Sequence, residues 1–308
     1  MANSTQFSHF ILSAYFDSGH LKYLFFTVIL LLYVVVIISN FLLIAVICVN
    51  RSLHEPLYVL LCSLFVNELY GSAGLFPFLL LQILSDSHTV PTSLCFLQIY
   101  CLYTYGNIEF GSLALMSYDR YLAVCCPLHY KTHMTQNRVA VFIVVVWLFS
   151  FIKCMVTVVF TAHLLLCGNI INNLYCNNYL IMKLACSDPQ VNNIYGMVNG
   201  FFSIVTPMTL ILFSYTRILQ ICFAGSKRTV TKAVSTCTPH LASLMNFFFG
   251  VCSETLLSRL DMSALPQLLR VVLSLYFLIV QPLFNPFMYG MRMSRLRKAC
   301  KNLLRCLA

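Results

Sequence analysis

What this chain of 308 residues has least of is charge: Lys, Arg, Asp and Glu together make up 9% of it, and the acids number only nine. Soluble domains carry about 25% charged residues. Too little charge is present to cover a water-facing surface, which excludes a soluble enzyme, a disordered tail and a nucleic-acid module. Low-complexity tracts are absent, as is any internal repeat with a period of about 20–50 residues. A cleavable leader is not expected either. Asp17 and His20 interrupt the first residues, and no basic segment precedes an apolar core, so the first span is expected to insert as its own signal anchor. The eight histidines fall mostly in loops and at span ends without metal-ligand spacing, and an intramembrane enzyme is therefore not expected.

What is present is apolar, at 60% of the residues, gathered into seven runs at about 24–49, 58–84, 95–126, 139–162, 192–223, 234–258 and 267–290. Each is long enough for a bilayer, which needs about 20 apolar residues in a helix. The runs are near-continuous rather than alternating, so helices are expected and not a membrane barrel. The expected fold is all-α, a seven-transmembrane helix bundle forming a single domain over 1–308. An extracellular segment 1–23 precedes the spans within 24–290, and a cytoplasmic tail 291–308 follows them. In that tail Arg292, Arg295, Arg297, Lys298, Lys301 and Arg305 alternate with Leu296, Leu303, Leu304 and Leu307, the pattern of a short amphipathic helix lying on the membrane surface.

Charge placement gives the orientation. With the N-terminus outside, the six tail cations join Arg51, Arg120, Lys131, Arg138, Arg217, Lys227, Arg228 and Lys232 at the cytoplasmic ends, so 14 of the 19 basic residues lie inside. Lys22, Lys153, Lys183, Arg259 and Arg270 make up the other side and the outer membrane half. The net charge of +10 thus faces anionic membrane lipid, not nucleic acid. Asn3-Ser4-Thr5 is a glycosylation sequon on the outer side, whereas Asn50-Arg51-Ser52 falls inside and should stay unmodified.

Ionisable residues inside a span are costly and mark function. Glu68 and Glu109 lie at mid-span depth in the second and third spans with no basic residue expected nearby. Two carboxylates in one dry site stay ionised together only if a cation joins them; otherwise one binds a proton. A sodium ion and a shared proton are both open, as is separate satisfaction of each acid by Ser or Asn. Asp119-Arg120-Tyr121 ends the third span, an adjacent acid and base able to exchange partners. Pro282 and Pro286 flank Asn285 and precede Tyr289, marking a deformable stretch of the seventh span.

In order along the chain stand Leu53-His54-Glu55-Pro56-Leu57-Tyr58, Met116-Ser117-Tyr118-Asp119-Arg120-Tyr121-Leu122-Ala123-Val124-Cys125, Ser214-Tyr215, Lys232-Ala233-Val234-Ser235-Thr236-Cys237-Thr238-Pro239-His240 and Pro282-Leu283-Phe284-Asn285-Pro286-Phe287-Met288-Tyr289. In these motifs the chain resembles the odorant receptors, a family of rhodopsin-like G-protein-coupled receptors, and its Leu-His-Glu-Pro and Ile-Leu-Ser-Ala-Tyr wording is similar to fish members. Departures from the family pattern are Leu57 for Met, Ser117 for Ala, Phe249 for Tyr and Glu68 for Asp. The resemblance implies a plasma-membrane receptor for a small-molecule odorant that activates a stimulatory heterotrimeric G protein and raises cyclic AMP. It implies a sodium site between Glu68 and Glu109 and no other cofactor. In the switch, it implies that Arg120 is freed from Asp119, with Tyr215 and Tyr289 holding the open arrangement and Phe249 sensing the pocket floor.

Fifteen cysteines cannot all pair internally, and most lie in apolar runs. Cys95, Cys167, Cys176 and Cys186 lie outside; sequence alone leaves three pairings open, and the resemblance implies Cys95 with Cys176 and Cys167 with Cys186. Residues at suitable depth for ligand contact are Tyr103, Gly106, Asn107, Asn199, Ser203, Phe249, Cys252, Ser253 and Leu256. Lys153 is expected either to neutralise a ligand anion or to snorkel outward, and Glu254 either to anchor an amine or, with more weight, to pair with Arg259 or Arg270. These readings favour an anionic ligand. An opsin is excluded because Val271–Tyr289 holds no lysine for a Schiff base, and an aminergic receptor is disfavoured because Cys95–Ile108 holds no carboxylate. The alternative from another class, a membrane transporter or channel, usually shows inverted repeats, broken helices in matching halves or a ring of pore charges, and none is visible here.

Overall fold

The computed structural model describes residues 7–15, 19–186, 190–224, 227–259 and 266–307. The first to fourth spans are the helices Leu21–Val49, Pro56–Leu84, Thr92–Cys125 and Gln136–Ala162. The fifth is built from Gln190–Gly200 and Thr206–Ala224 joined by a π-helical turn, Phe201–Val205, and the sixth and seventh are Lys227–Arg259 and Gln267–Arg292. A last helix, Ser294–Leu307, follows the seventh span after one residue.

These helices are apolar on the outside. In the first span only Val36, Asn40, Leu43, Val46 and Ile47 are buried, a stripe at helical spacing, while Ile38 and Phe41 face outward. The third span reverses the pattern. It packs against the second, fourth, fifth and sixth and buries Gln98, Thr104, Glu109, Ser112, Ser117 and Asp119. This explains which helices are apolar enough to cross a bilayer on their own composition. Leu21–Val49, Pro56–Leu84, Gln136–Ala162 and Gln190–Ile221 qualify, and the seventh qualifies as a bent pair, Leu269–Tyr276 with Leu278–Arg292. The third buries the polar groups named above and the sixth buries His240, Ser243, Glu254 and Ser258, which lowers the mean hydropathy of each.

Close approach between spans relies on small residues. A Cβ on Gly71 would strike the Tyr105 ring, and one on Gly111 would lie 2.6 Å from Val146 Cγ1. Proline sets two other local features. Pro207 offers no N–H to the Ser203 carbonyl, and the π turn occupies this stretch. Pro286 likewise offers none to the Pro282 carbonyl, and the Asn40 amide of the first span donates to it instead at 2.9 Å.

An all-α bundle was expected, yet one end also carries a small sheet. Three strands, β1 (His9–Leu12), β2 (Thr89–Pro91) and β3 (Ile170–Ile171), lie in the order β2-β1-β3. β1 runs antiparallel to β2, with Phe10 opposite Val90, and parallel to β3, with Leu12 opposite Ile171. Those four side chains point into the bundle and are buried, while His9 and Ile11 alternate outward. Strands this short give no periodic signal in the sequence. At the same end Cys95 is bonded to Cys176 and Cys167 to Cys186, the pairing the resemblance implies. At the opposite end the tail helix buries Leu296, and Arg295 forms an exposed ion pair with Glu55.

Candidate ligand cavity and switch

Between the third, fourth, fifth and sixth spans, beneath the disulfide-bonded loop, lies a cavity of about 260 Å³, small for a ligand site, which typically measures about 300–1,000 Å³. The third span contributes Tyr103, Gly106, Asn107 and Phe110, the loop Tyr175, Asn177, Asn178 and Tyr179, and the fifth Asn199 and Ser203. From the sixth come Val251, Glu254, Thr255, Ser258 and Arg259. Five expected residues thus line the cavity: Tyr103, Gly106, Asn107, Asn199 and Ser203.

The sixth-span candidates do not. Phe249, Cys252, Ser253 and Leu256 follow the same helical spacing as the true lining but stand on another face of the helix. Phe249 is 53% exposed with its ring 5.3 Å from Tyr276, and Leu256 is 52% exposed. The lining set is shifted by two residues, about 200° of helix rotation. In the run Phe247-Phe248-Phe249 every position is equally apolar, so the sequence offers no phase. The ring that packs beneath the cavity is Phe247, fully buried, 4.8 Å from Phe110 and 6.2 Å from Tyr105.

Lys153 does not line the cavity. Its ammonium donates to Ser203, a wall residue, and lies 5.5 Å from the Phe149 ring. Glu254 also departs from expectation. Ion pairs among the described residues are Lys22 with Asp86, Asp119 with Arg120 and Glu55 with Arg295, so Glu254 pairs with neither Arg259 nor Arg270. It accepts instead from the Asn177 amide at 2.9 Å, while Arg259 lies 4.7 Å from the Tyr179 ring.

Below Phe247 and Tyr105 the two mid-span acids meet. Glu68 and Glu109 are both 0% exposed. Tyr105 donates to Glu68 at 3.0 Å, Asn67 and Gln281 to Glu109 at 3.1 and 3.0 Å, and the Asn285 amide to both carboxylates. Ser243 of the sixth span donates in turn to the Asn285 carbonyl. The cluster therefore joins four spans through one amide, and the acids are not satisfied separately. Among the described residues no basic side chain takes part, and no group of three or more His, Cys, Asp or Glu gathers. Asn67 and Gln281, not singled out from the sequence, are ordinary amides there and gain meaning only from what faces them.

At the far end of the third span Arg120 donates through Nε to Asp119 at 2.8 Å, and Tyr130 of the following loop donates to the other Asp119 oxygen at 2.8 Å. Burial, and secondarily the Asp119 charge, push the Tyr130 phenol above its ordinary range, so it stays a donor. Tyr121 leans on Phe213, Tyr215 bonds to His240 of the sixth span, and Tyr289 is buried edge-on against Phe65. Pro286 follows Asn285 inside the seventh helix. Asn3 lies outside the described residues.

The family model for olfactory receptors matches residues 29–306. Among similar proteins, human olfactory receptor 11A1 is 36% identical over 303 residues, covering 96% of this chain and 94% of that one. Mouse olfactory receptor 1E16 is 32% identical, covering 94% and 92%. The crystal structure of squid rhodopsin superimposes with a TM-score of 0.76 at 16% identity over 95% of this chain and 88% of that chain, which shows a shared fold. Motifs, family match and helix bundle agree: this chain belongs to the olfactory receptor family of seven-helix, rhodopsin-like receptors, a multi-pass plasma-membrane chemoreceptor and not an enzyme.

Proposed function

We propose that the chain is one receptor unit that binds a small odorant in the cavity beneath the disulfides and passes the event to a stimulatory heterotrimeric G protein at the tail-helix end, raising cyclic AMP. In this reading the N-terminus and the sheet are extracellular, and the tail helix rests on the cytoplasmic lipid surface. The observation that supports it is the continuous stack along the third span: Phe110 in the cavity wall, Phe247 against it, Tyr105 and the Glu68–Glu109 cluster below, and Asp119 with Arg120 at the far end.

Ligand shifts a pre-existing equilibrium by its preference for one arrangement. In the arrangement described here Arg120 is held by Asp119 and Tyr215 by His240. Outward movement of the sixth span breaks the latter contact and frees Tyr215, with Tyr289, to stabilise Arg120 away from Asp119. The middle cluster is positioned to sense that movement because Ser243 and Asn285 link the sixth and seventh spans to both acids. Its donor set suits a sodium ion, being all oxygen, with Asn67 Oδ1 buried and accepting no hydrogen bond. Glu68, Glu109 and Asn67 would hold the ion, which supplies charge neutralisation when bound.

A chemically broad odorant panel on cells expressing the full chain, read as cyclic AMP, tests this. Agonists should act on the wild type, and Arg120→Ala should abolish the response while leaving surface expression intact. Responses that persist in Arg120→Ala, or substrate uptake without G protein, would sink the reading.

A further inference from the structure

Glu254 is 8% exposed, lines the cavity, and uses one oxygen to accept from Asn177; its other oxygen, Oε2, is buried and accepts no hydrogen bond. The Tyr175 hydroxyl stands close enough to interact with Glu254, although its hydrogen bond runs to the Ser274 carbonyl at 3.3 Å. Among the described residues this is the one buried carboxylate oxygen left without a donor, in contrast to Glu68 and Glu109, which amides and a phenol surround. A buried carboxylate with an empty acceptor is expensive unless a positive or donating group completes it. The walls nearby include Tyr103 and Tyr175, whose ring faces attract ammonium groups. Of the positive residues beside the cavity, Lys183 donates to the Ser258 carbonyl at 2.9 Å, and both Lys183 and Arg259 lie over the Tyr179 ring.

From this we infer that the cavity recognises a small protonated amine, with Glu254 Oε2 as the acceptor of its N–H and the tyrosine rings as its flanks. This deepens the receptor reading, on which it rests, and reverses the anionic preference expected from Lys153, which stands outside the cavity lining. It also assigns the acid to the sixth span, in a family member whose third span has no carboxylate at cavity depth.

The test uses butyl, hexyl, cyclohexyl and benzyl skeletons, each as amine, alcohol and carboxylic acid. Thermal stabilisation of the purified full chain in nanodiscs reports binding, and cyclic AMP reports signalling. The expected result is that at least one amine stabilises the wild type at a tenfold or more lower concentration than its alcohol. Glu254→Gln, which keeps the acceptor for Asn177, should remove that preference, and Glu254→Asp should retain part of it. Amines that bind no better than alcohols on every skeleton, or a preference that survives Glu254→Gln, would overturn the inference. Glu254-dependent stabilisation by an amine with no cyclic AMP response would uphold the site and count against the signalling reading instead.

Discussion

Asp119 is fully buried and its two oxygens are divided between Arg120 and Tyr130. The tripeptide at 119–121 is legible in the sequence; the third member of the lock is not, because Tyr130 lies eleven residues on in a loop. A hydrogen bond to a charged group contributes about 1.5–3 kcal/mol, and here it favours the arrangement that retains Arg120. Tyr130→Phe should therefore raise basal cyclic AMP several-fold without changing the odorant profile, and an unchanged baseline at equal surface expression would contradict this. Ligand contact shows the opposite limit of residue-level reading. Third- and fifth-span candidates were found by depth, whereas Phe249, Cys252, Ser253 and Leu256 had the right depth and the wrong rotation.

Within the seventh helix, Pro282 and Pro286 are visible as breakers, but the remedy is supplied by another element. The Pro282 carbonyl lacks its donor because residue 286 is proline, and Asn40 of the first span provides one. Asn40→Ala leaves that carbonyl bare in the interior, which costs about 1–3 kcal/mol. Thermal unfolding in detergent should show a lowered midpoint for Asn40→Ala. Adding Pro286→Ala, which restores an N–H four residues on, should recover part of the loss, and strictly additive destabilisation would refute the pairing. The same logic places the strand His9–Leu12: its alternation is too short to read alone, and it is a strand because β2 and β3, brought together by the loop disulfides, give its backbone partners.

Across the molecule, the gathering of 14 of 19 basic residues at one set of span ends supports the proposed orientation, with the N-terminus outside. Glycosidase treatment of cell-expressed chain should shift its mobility, and Asn3→Gln should abolish the shift while Asn50→Gln leaves it. A glycan retained in Asn3→Gln would reverse the orientation. Apolar runs long enough to span, basic residues at one set of ends, a few cysteines between spans and a few buried acids follow from chain composition, since lipid imposes length and polarity on each segment separately. Helix rotation, the meeting of Glu68 with Glu109 and the empty oxygen of Glu254 do not. In a helix apolar on all sides, every face is equally compatible with lipid, and the choice falls to packing between spans: small residues such as Gly71 and Gly111, prolines that call for foreign donors, and polar groups that must find one another. Composition set which segments enter the membrane, and tertiary contact alone decided which side chains face the ligand.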